Sequence, residues 1–304
     1  MSEHRILLIE NPAQLSVDLG RIRIRRQDHP DAFVLPRDVA VVCLHHHTIQ
    51  ISVQVLRALA EAGAGVIVTD SAHHPCAWLL PTNGNGDLVR RLRQQIQLDG
   101  QPRKASLWQQ LVQARLRTQA ANLRALDRKG ALRLERLARQ VSPGDTGKCE
   151  SQGARHYWAH LFPAGFRREK QGAADPVNIR LNFGYAVLRS MIARSLAMAG
   201  LNAALGLGHA STENPFNLAD DFIEAYRFLV ERQVAQCEPG DFDGEARKRL
   251  LRLVETEVAI NGAGYRLPAA IDESIASYLR VLDGRDSELR LPEDAVPQAV
   301  ASWA

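Results

Sequence analysis

The feature that most limits what this chain can fold into is a change of texture across one run, Pro81-Thr82-Asn83-Gly84-Asn85-Gly86-Asp87. Residues of this kind favour turns over either regular element. Before the run, apolar residues come in short groups. Ile6-Leu7-Leu8-Ile9 and Val39-Ala40-Val41-Val42-Cys43-Leu44 read as strands, and Val66-Ile67-Val68-Thr69-Asp70 as another. Leu19-Gly20-Arg21-Ile22-Arg23-Ile24-Arg25 alternates apolar with basic, the period-two pattern of a half-buried strand. Pro36-Arg37-Asp38 is a turn. Residues 52–62 are expected to be helical, with Val55, Leu56 and Leu59 at helical spacing and Gly63 as the stop.

After the run the chain turns to Arg, Leu, Gln and Ala, which favour helix. Helices are expected over 88–98, 106–128, 131–140, 177–199, 220–233 and 246–258. In the fourth, Leu181, Tyr185, Leu188, Ile192 and Leu196 recur every three or four residues and Gly200 ends the pattern. The expected fold class is α+β: a small N-terminal β domain (1–82), a linker (83–87) and a larger all-helical C-terminal domain (88–304). From Asp283 onward the chain is polar, carries Pro292 and Pro297, and is expected to be loosely ordered.

Charge is distributed unevenly. Between Asp87 and Gln140 stand thirteen Lys or Arg against four Asp or Glu, so this stretch carries +9 of a chain whose total is +4. One basic segment on an otherwise slightly acidic chain points to a polyanion partner, most simply nucleic acid, or else to a solvated helical face. The longest apolar runs are too short to cross a bilayer, and Ile6 to Ile9 is too short for a secretory core, so a cytoplasmic, membrane-free protein is expected. Cys43, Cys76, Cys149 and Cys237 are scattered with no CxxC pair, which argues for plain thiols over zinc or disulfides. There is no GxSxG elbow, Walker loop or GxGxxG, so neither serine hydrolysis nor a nucleotide cofactor is indicated.

Three groups in the helical half could carry chemistry. Glu150 follows the helix-start signal Ser142-Pro143-Gly144-Asp145, and on a helix it shares a face with Ala154 and Tyr157. His209 sits in Gly206-Leu207-Gly208-His209-Ala210, where glycines let the backbone approach a neighbour closely. Asp220, Asp221 and Glu224 gather at i,i+3 and i,i+4 spacing in Asn217-Leu218-Ala219-Asp220-Asp221-Phe222-Ile223-Glu224, with Arg227 near enough to offset their repulsion. Taken singly, each acid can simply favour a helix N-terminus, and a loop histidine is ordinary. Taken together they form a carboxylate–imidazole–carboxylate set, which suits Mg2+ or Mn2+ better than zinc. Such an ion can activate a hydroxyl and stabilise a phosphodiester under attack, and the basic segment would hold the phosphates. His45-His46-His47 and His73-His74 are weaker as metal tracts, because alternate strand side chains face opposite ways. Trp78, Trp108 and Trp158 could stack on bases, although packing is the more ordinary role.

Several strings in order carry a resemblance to a known family. They are Asn11-Pro12-Ala13-Gln14-Leu15-Ser16, Ala58-Leu59-Ala60-Glu61-Ala62-Gly63, Leu79-Leu80-Pro81, and Glu150 with Ala154-Arg155 and Tyr157-Trp158. Then come Asn178-Ile179-Arg180-Leu181-Asn182-Phe183-Gly184-Tyr185, Gly206-Leu207-Gly208-His209, and the run from Asn217 to Glu224. Over roughly residues 5 to 270 this order resembles the CRISPR-associated integrase of spacer acquisition, the Cas1 family, and most closely the form found beside Cas9 in type II systems. The resemblance implies a homodimer and a Mg2+ or Mn2+ site from Glu150, His209 and Glu224, with Asp220 and Asp221 as possible additional ligands. It implies joining of the 3′-hydroxyl ends of short DNA fragments to the repeat array. It further implies a heterohexameric complex in which Cas2 bridges two dimers, with Cas9 as a possible further partner. The arginines between Arg90 and Arg139, Arg90, Arg91 and Arg93 among them, are the expected DNA contacts, with Arg155, Arg180 and Arg189 as lesser candidates. Two other readings stay open: an endonuclease using water in place of a DNA end, and a non-catalytic nucleic-acid scaffold.

Overall fold

Short apolar and alternating runs find partners in sheets over the first eighty residues. The elements are β1 (Arg5–Ile9), β2 (Gln14–Asp18), β3 (Arg21–Arg25), β4 (Ala32–Val34), β5 (Val39–Leu44), β6 (Gln50–Ile51), α1 (Val53–Glu61), β7 (Gly65–Thr69) and β8 (Pro75–Leu79). The computed structural model describes residues 5–69, 75–81, 87–170, 172–237, 240 and 242–295. Asp70, the His73-His74 tract, residues 82–86 of the turn-forming run and residues 296–304, Pro297 among them, lie outside the described residues.

One sheet has the order β1-β5-β7-β8, with β1, β5 and β7 parallel and β8 antiparallel; the other has the order β4-β3-β2-β6. The alternating basic segment forms β3, with Ile22 fully buried. Leu19 and Gly20 do not belong to that strand, as the alternation suggested. Both have positive φ, 47° and 75°, and make the two-residue turn that pairs Asp18 with Arg21. Backbone twist favours such a tight left-handed turn between antiparallel strands, and Leu19 is left outside at 90% exposure. Ser52 caps α1 by accepting from the Val55 N–H at 3.4 Å.

The helices beyond the turn-forming run are α2 (Leu88–Leu98), α3 (Pro102–Ala125), α4 (Ala131–Gln140), α5 (Cys149–Leu161), α6 (Pro176–Met198), α7 (Asn217–Ala235) and α8 (Gly244–Leu251). The fold is α+β, strands first and then mostly helix, but the second part is not all-helical. After α8 a short 3-10 turn leads into β9 (Glu257–Ile260), β10 (Ala263–Arg266), α9 (Leu267–Leu282) and β11 (Asp294–Ala295), with the strands in the order β10-β9-β11. The expected helix over 246–258 therefore stops at Leu251. The reason is local: Asn261 and Gly262 take φ of 50° and 73°, an Asn-Gly hairpin turn, and Val258 and Ile260 are buried on alternate positions. The tail is also better ordered than its composition suggests, up to residue 295. Leu289 is buried, its N–H donates to Gln110 Oε1 at 2.8 Å, and β11 pairs with β9.

Two cores meet across the first sheet. Val39, Val42 and Val66 join Ile9, Leu15, Ile22, Val55 and Leu59 in one. Ala40, Val41, Cys43 and Ile67 join the helical core in the other. Trp78 of β8 ties the halves together by donating from Nε1 to Ser190 Oγ of α6 at 3.0 Å. No described helix is long and apolar enough to cross a membrane. Burial pushes the Cys43 thiol up to about 12, and all four cysteines are free.

Candidate active site

Helix α7 runs through the middle of the helical core, where Leu218, Phe222, Ala225, Phe228 and Leu229 are buried. A charge on such a helix must be paired. Asp221, Glu224 and Glu231 are buried, and each has a partner. The partners gather residues from α3, α5, α6 and the 199–216 segment around one end of α7.

Glu150 arrives from α5. Asp145 accepts from the backbone N–H groups of Cys149 and Glu150 at 2.8 and 2.9 Å, satisfying donors that the helix start leaves open. This fixes Glu150 in the first turn. Arg115 arrives from α3 with only 3% of its side chain exposed. Its Nη1 lies 2.5 Å from Glu150 Oε1 and 2.6 Å from Glu224 Oε2, so the two carboxylate oxygens are at most 5.1 Å apart. Arg227 holds both oxygens of Glu224 from the other side at 3.0 Å. Burial would raise the Glu224 carboxyl, but Arg115 and Arg227 overcome it and hold the group at about 2. Arg227 also donates to Glu231 at 2.7 Å and lies 4.9 Å over the Tyr185 ring.

His209 is placed by the loop before α7. Asp221 accepts from its Nδ1 at 2.8 Å and from the backbone N–H groups of His209 and Gly208 at 2.9 and 3.2 Å, and also from that of Leu207. The glycines are sterically required. A Cβ on Gly208 would lie 2.2 Å from Trp108 Cδ2, and one on Gly206 would lie 2.2 Å from the His209 carbonyl oxygen. Trp108 meets the His209 ring edge-on, with centroids 5.6 Å apart. The hydrogen bond to Asp221 raises the His209 pKa above its usual 6.5 against the opposing effect of burial, and Glu224 adds to the rise. A cleft of about 460 Å³ opens on the other side of this loop, lined by Gln101, Lys104, Ala105, Trp108, Leu207 and Gly208.

The sequence-selected residues divide by position. Glu150 and Glu224 share one guanidinium nitrogen, and Asp221 binds the ring of His209 one helical turn away from Glu224. Asp220 points into a separate network, bound to Arg189 Nε and to Asn214 Nδ2, both at 2.7 Å. Among the expected DNA contacts, Arg93 and Arg155 are exposed. Arg90 is exposed but paired with Asp87 at 2.6 Å. Arg91 is buried against Asp283 at 2.6 Å, and Arg180 is buried and donates to the Gly240 carbonyl at 2.8 Å. Arg189 is half-buried on Asp220. Further along the same basic segment Arg117, Arg128, Lys129, Arg133, Arg136 and Arg139 are exposed on α3, α4 and their connection.

The residues missed are Arg115, which the basic segment concealed among surface arginines, and Tyr185, read only as part of an apolar stripe; Arg227, expected to offset the repulsion of the acids, does bind Glu224. The signal for Arg115 was its register. It stands four residues after Leu111 and eight after Leu107, on the buried stripe of α3. Trp78 and Trp108 have packing contacts, while Trp158 stacks on Phe162 with centroids 5.9 Å apart. His46 and His47 stack on each other at 4.6 Å while His45 is buried against Phe183.

Among the described residues no group of three or more His, Cys, Asp or Glu side chains is placed to hold a metal ion, and Arg115 Nη1 contacts both Glu150 and Glu224. The donor chemistry nonetheless fits a hard divalent cation: two carboxylates within 5.1 Å, and an imidazole whose Nδ1 is taken by a carboxylate.

Comparison with known proteins agrees with this architecture. A family model described as "CRISPR associated protein Cas1" matches residues 6–246. The CRISPR-associated endonuclease Cas1 of Neisseria meningitidis serogroup C (strain 8013) is 35% identical over 300 residues, covering 95% of this chain and 96% of the relative. A casposase bound to integration product has a similar fold, with a TM-score of 0.79 at 15% identity, over 94% of this chain and 92% of that one. A chain of a Cas6-RT-Cas1–Cas2 complex gives a TM-score of 0.73 at 18% identity, over 96% of this chain and 36% of that longer one.

Proposed function

This chain belongs to the Cas1 family of CRISPR-associated proteins, and on that premise we propose that it is a metal-dependent integrase of short DNA fragments. The reaction is phosphoryl transfer. The 3′-hydroxyl oxygen of a fragment forms a new bond to a phosphorus of the repeat DNA. The attacking hydroxyl gives up its proton to solvent, the P–O bond to the repeat's own 3′ oxygen breaks, and that oxygen takes one proton from solvent and leaves as a hydroxyl.

The observation that carries this reading is the approach of Glu150 and Glu224 to one nitrogen of Arg115, beside a histidine oriented by a buried carboxylate. Glu150, Glu224 and His209 through Nε2 would hold Mg2+ or Mn2+. That ion would supply Lewis-acid stabilisation of the charge developing on the phosphate. Asp221 fixes the ring and tautomer of His209, and accordingly acts behind it and not as a ligand. Arg227 keeps Glu224 ionised and in place. Asp220, turned onto Arg189, is outside this set. The exposed arginines of α3 and α4 would neutralise DNA phosphates.

The similarity in fold to a chain of a Cas6-RT-Cas1–Cas2 complex supports Cas2 as a partner; an assembly of two homodimers bridged by Cas2 rests on the resemblance of the sequence strings. The similarity to a casposase bound to integration product supports DNA joining over hydrolysis alone. Cas9 is a further partner to test, on the type II-like order of the sequence strings.

The test supplies fragment, repeat plasmid, Cas2 and manganese. Joined product should form, and Glu150→Gln and His209→Ala should each reduce it by about 100-fold or more while the circular dichroism spectrum is unchanged. Cut ends with no joined product would favour the endonuclease. Undiminished joining by both variants would leave only a scaffold.

A further inference from the structure

Arg115 is a guanidinium in the place where the proposed site needs a cation. Its Nη1 contacts both acids, at 2.5 Å from Glu150 and 2.6 Å from Glu224. A permanent structural arginine more often spreads its donors in a bidentate fork on one carboxylate. Here one nitrogen bridges two carboxylates, as a small ion would. The Nε of the same side chain is buried and has no hydrogen-bond partner. A buried donor without a partner costs free energy, so this arrangement is poorly satisfied for a fixed structural pair.

The surroundings also make departure of Arg115 tolerable. Glu224 would keep both its hydrogen bonds to Arg227 at 3.0 Å. Glu150 would remain half-exposed in the first turn of α5, where the helix dipole favours a carboxylate. Neither acid would become a buried charge with no compensation.

From this geometry we infer that Arg115 is a resident counter-charge of the site, which closes the two-carboxylate site without metal and is displaced from between Glu150 and Glu224 when a divalent ion enters. The inference rests on the metal-dependent reading above. It assigns Arg115 a gating role, because the ion must first break two charge-assisted contacts. It also sets the metal affinity of the site below what the same carboxylates would give with the arginine removed.

The experiment measures Mn2+ binding to the full-length, chelator-stripped protein by electron paramagnetic resonance and calorimetry, with wild type and Arg115→Met. Methionine keeps an unbranched apolar stem and removes the competing charge. The variant should bind Mn2+ about tenfold more tightly or better, and Mn2+ should raise its Tm by more than it raises that of wild type. Equal or weaker binding by a folded variant would overturn the gating role while leaving the metal-dependent reading in place. Absence of Mn2+ binding by both proteins would overturn both. Should Arg115→Met fail to fold, a crystal of the wild type soaked in Mn2+ decides. The guanidinium should no longer bridge the two acids, and a bridge retained beside a bound ion would refute the inference.

Discussion

His209 and Asp221 meet twice: the ring Nδ1 lies 2.8 Å from Asp221 Oδ1, and the His209 backbone N–H donates to the same oxygen at 2.9 Å. One buried carboxylate therefore fixes the ring and the loop that carries it. The sign of the linkage follows from the raised pKa of His209. The folded state favours the imidazolium, so the pair stabilises the metal-free fold fully below about 6.5 and loses that contribution as pH rises through the raised value. In Asp221→Asn the His209 titration midpoint, read by NMR, should fall below that of wild type. Joining activity should drop by about 10- to 100-fold, as for other partners that orient a ligating histidine. An unmoved midpoint would mean that Asp221 does not set the state of His209.

Glu224 gives the opposite limb. Its carboxyl is held at about 2, against an ordinary 4.5, by Arg115 and Arg227 in spite of burial. The stabilisation is present above 4.5 and lost as pH falls from there towards 2. Wild type should exceed Glu224→Gln in stability at neutral pH by an amount that shrinks by about 3 kcal/mol over that window. Denaturant melts of both proteins between pH 5 and pH 2 measure the difference.

Gly208 is a packing requirement before it is anything else. An added Cβ would lie 2.2 Å from the Trp108 ring, which is not a flexible chain end. Gly208→Ala should cost about 1–3 kcal/mol by overpacking and displace His209, lowering activity more than stability. Adding Trp108→Ala should restore room for the methyl group. A double variant no more active than the single one would show that the loop is held by other contacts.

The basic segment should separate into two functional groups. Arg91 is buried on Asp283, so Arg91→Ala should destabilise by about 3 kcal/mol with little change in DNA affinity at temperatures where it is folded. Replacing the exposed Arg133, Arg136 and Arg139 should leave Tm nearly unchanged. It should weaken DNA binding and flatten its salt dependence by about 0.9 log unit for each phosphate no longer neutralised. Filter-binding titrations at several salt concentrations distinguish the two groups.

Much of the fold was legible along the chain. The apolar runs of β1, β5 and β7 and the three-to-four spacing of α6 are local signals that need no partner to be read. The small sheet after α8 was missed although Asn261-Gly262 announced its turn, because Val258, sitting close to the end of α8, also fits a helical pattern. The buried tail was missed for a different reason. Leu289 is buried and its N–H is held by Gln110 of α3, far away in sequence, and no local composition records that.

By itself the sequence determined the chemistry on offer: four acids, a loop histidine preceded by two glycines, and a surplus of arginine after residue 87. Residue type and short-range spacing fix those things. Tertiary structure alone decided the division of labour among them. It turned Asp221 onto His209 and Asp220 onto Arg189, although the two acids are neighbours, because adjacent helical residues face different elements. It also withdrew Arg91 and Arg115 from the surface, since whether a charge meets water or another charge depends on which helix packs over it.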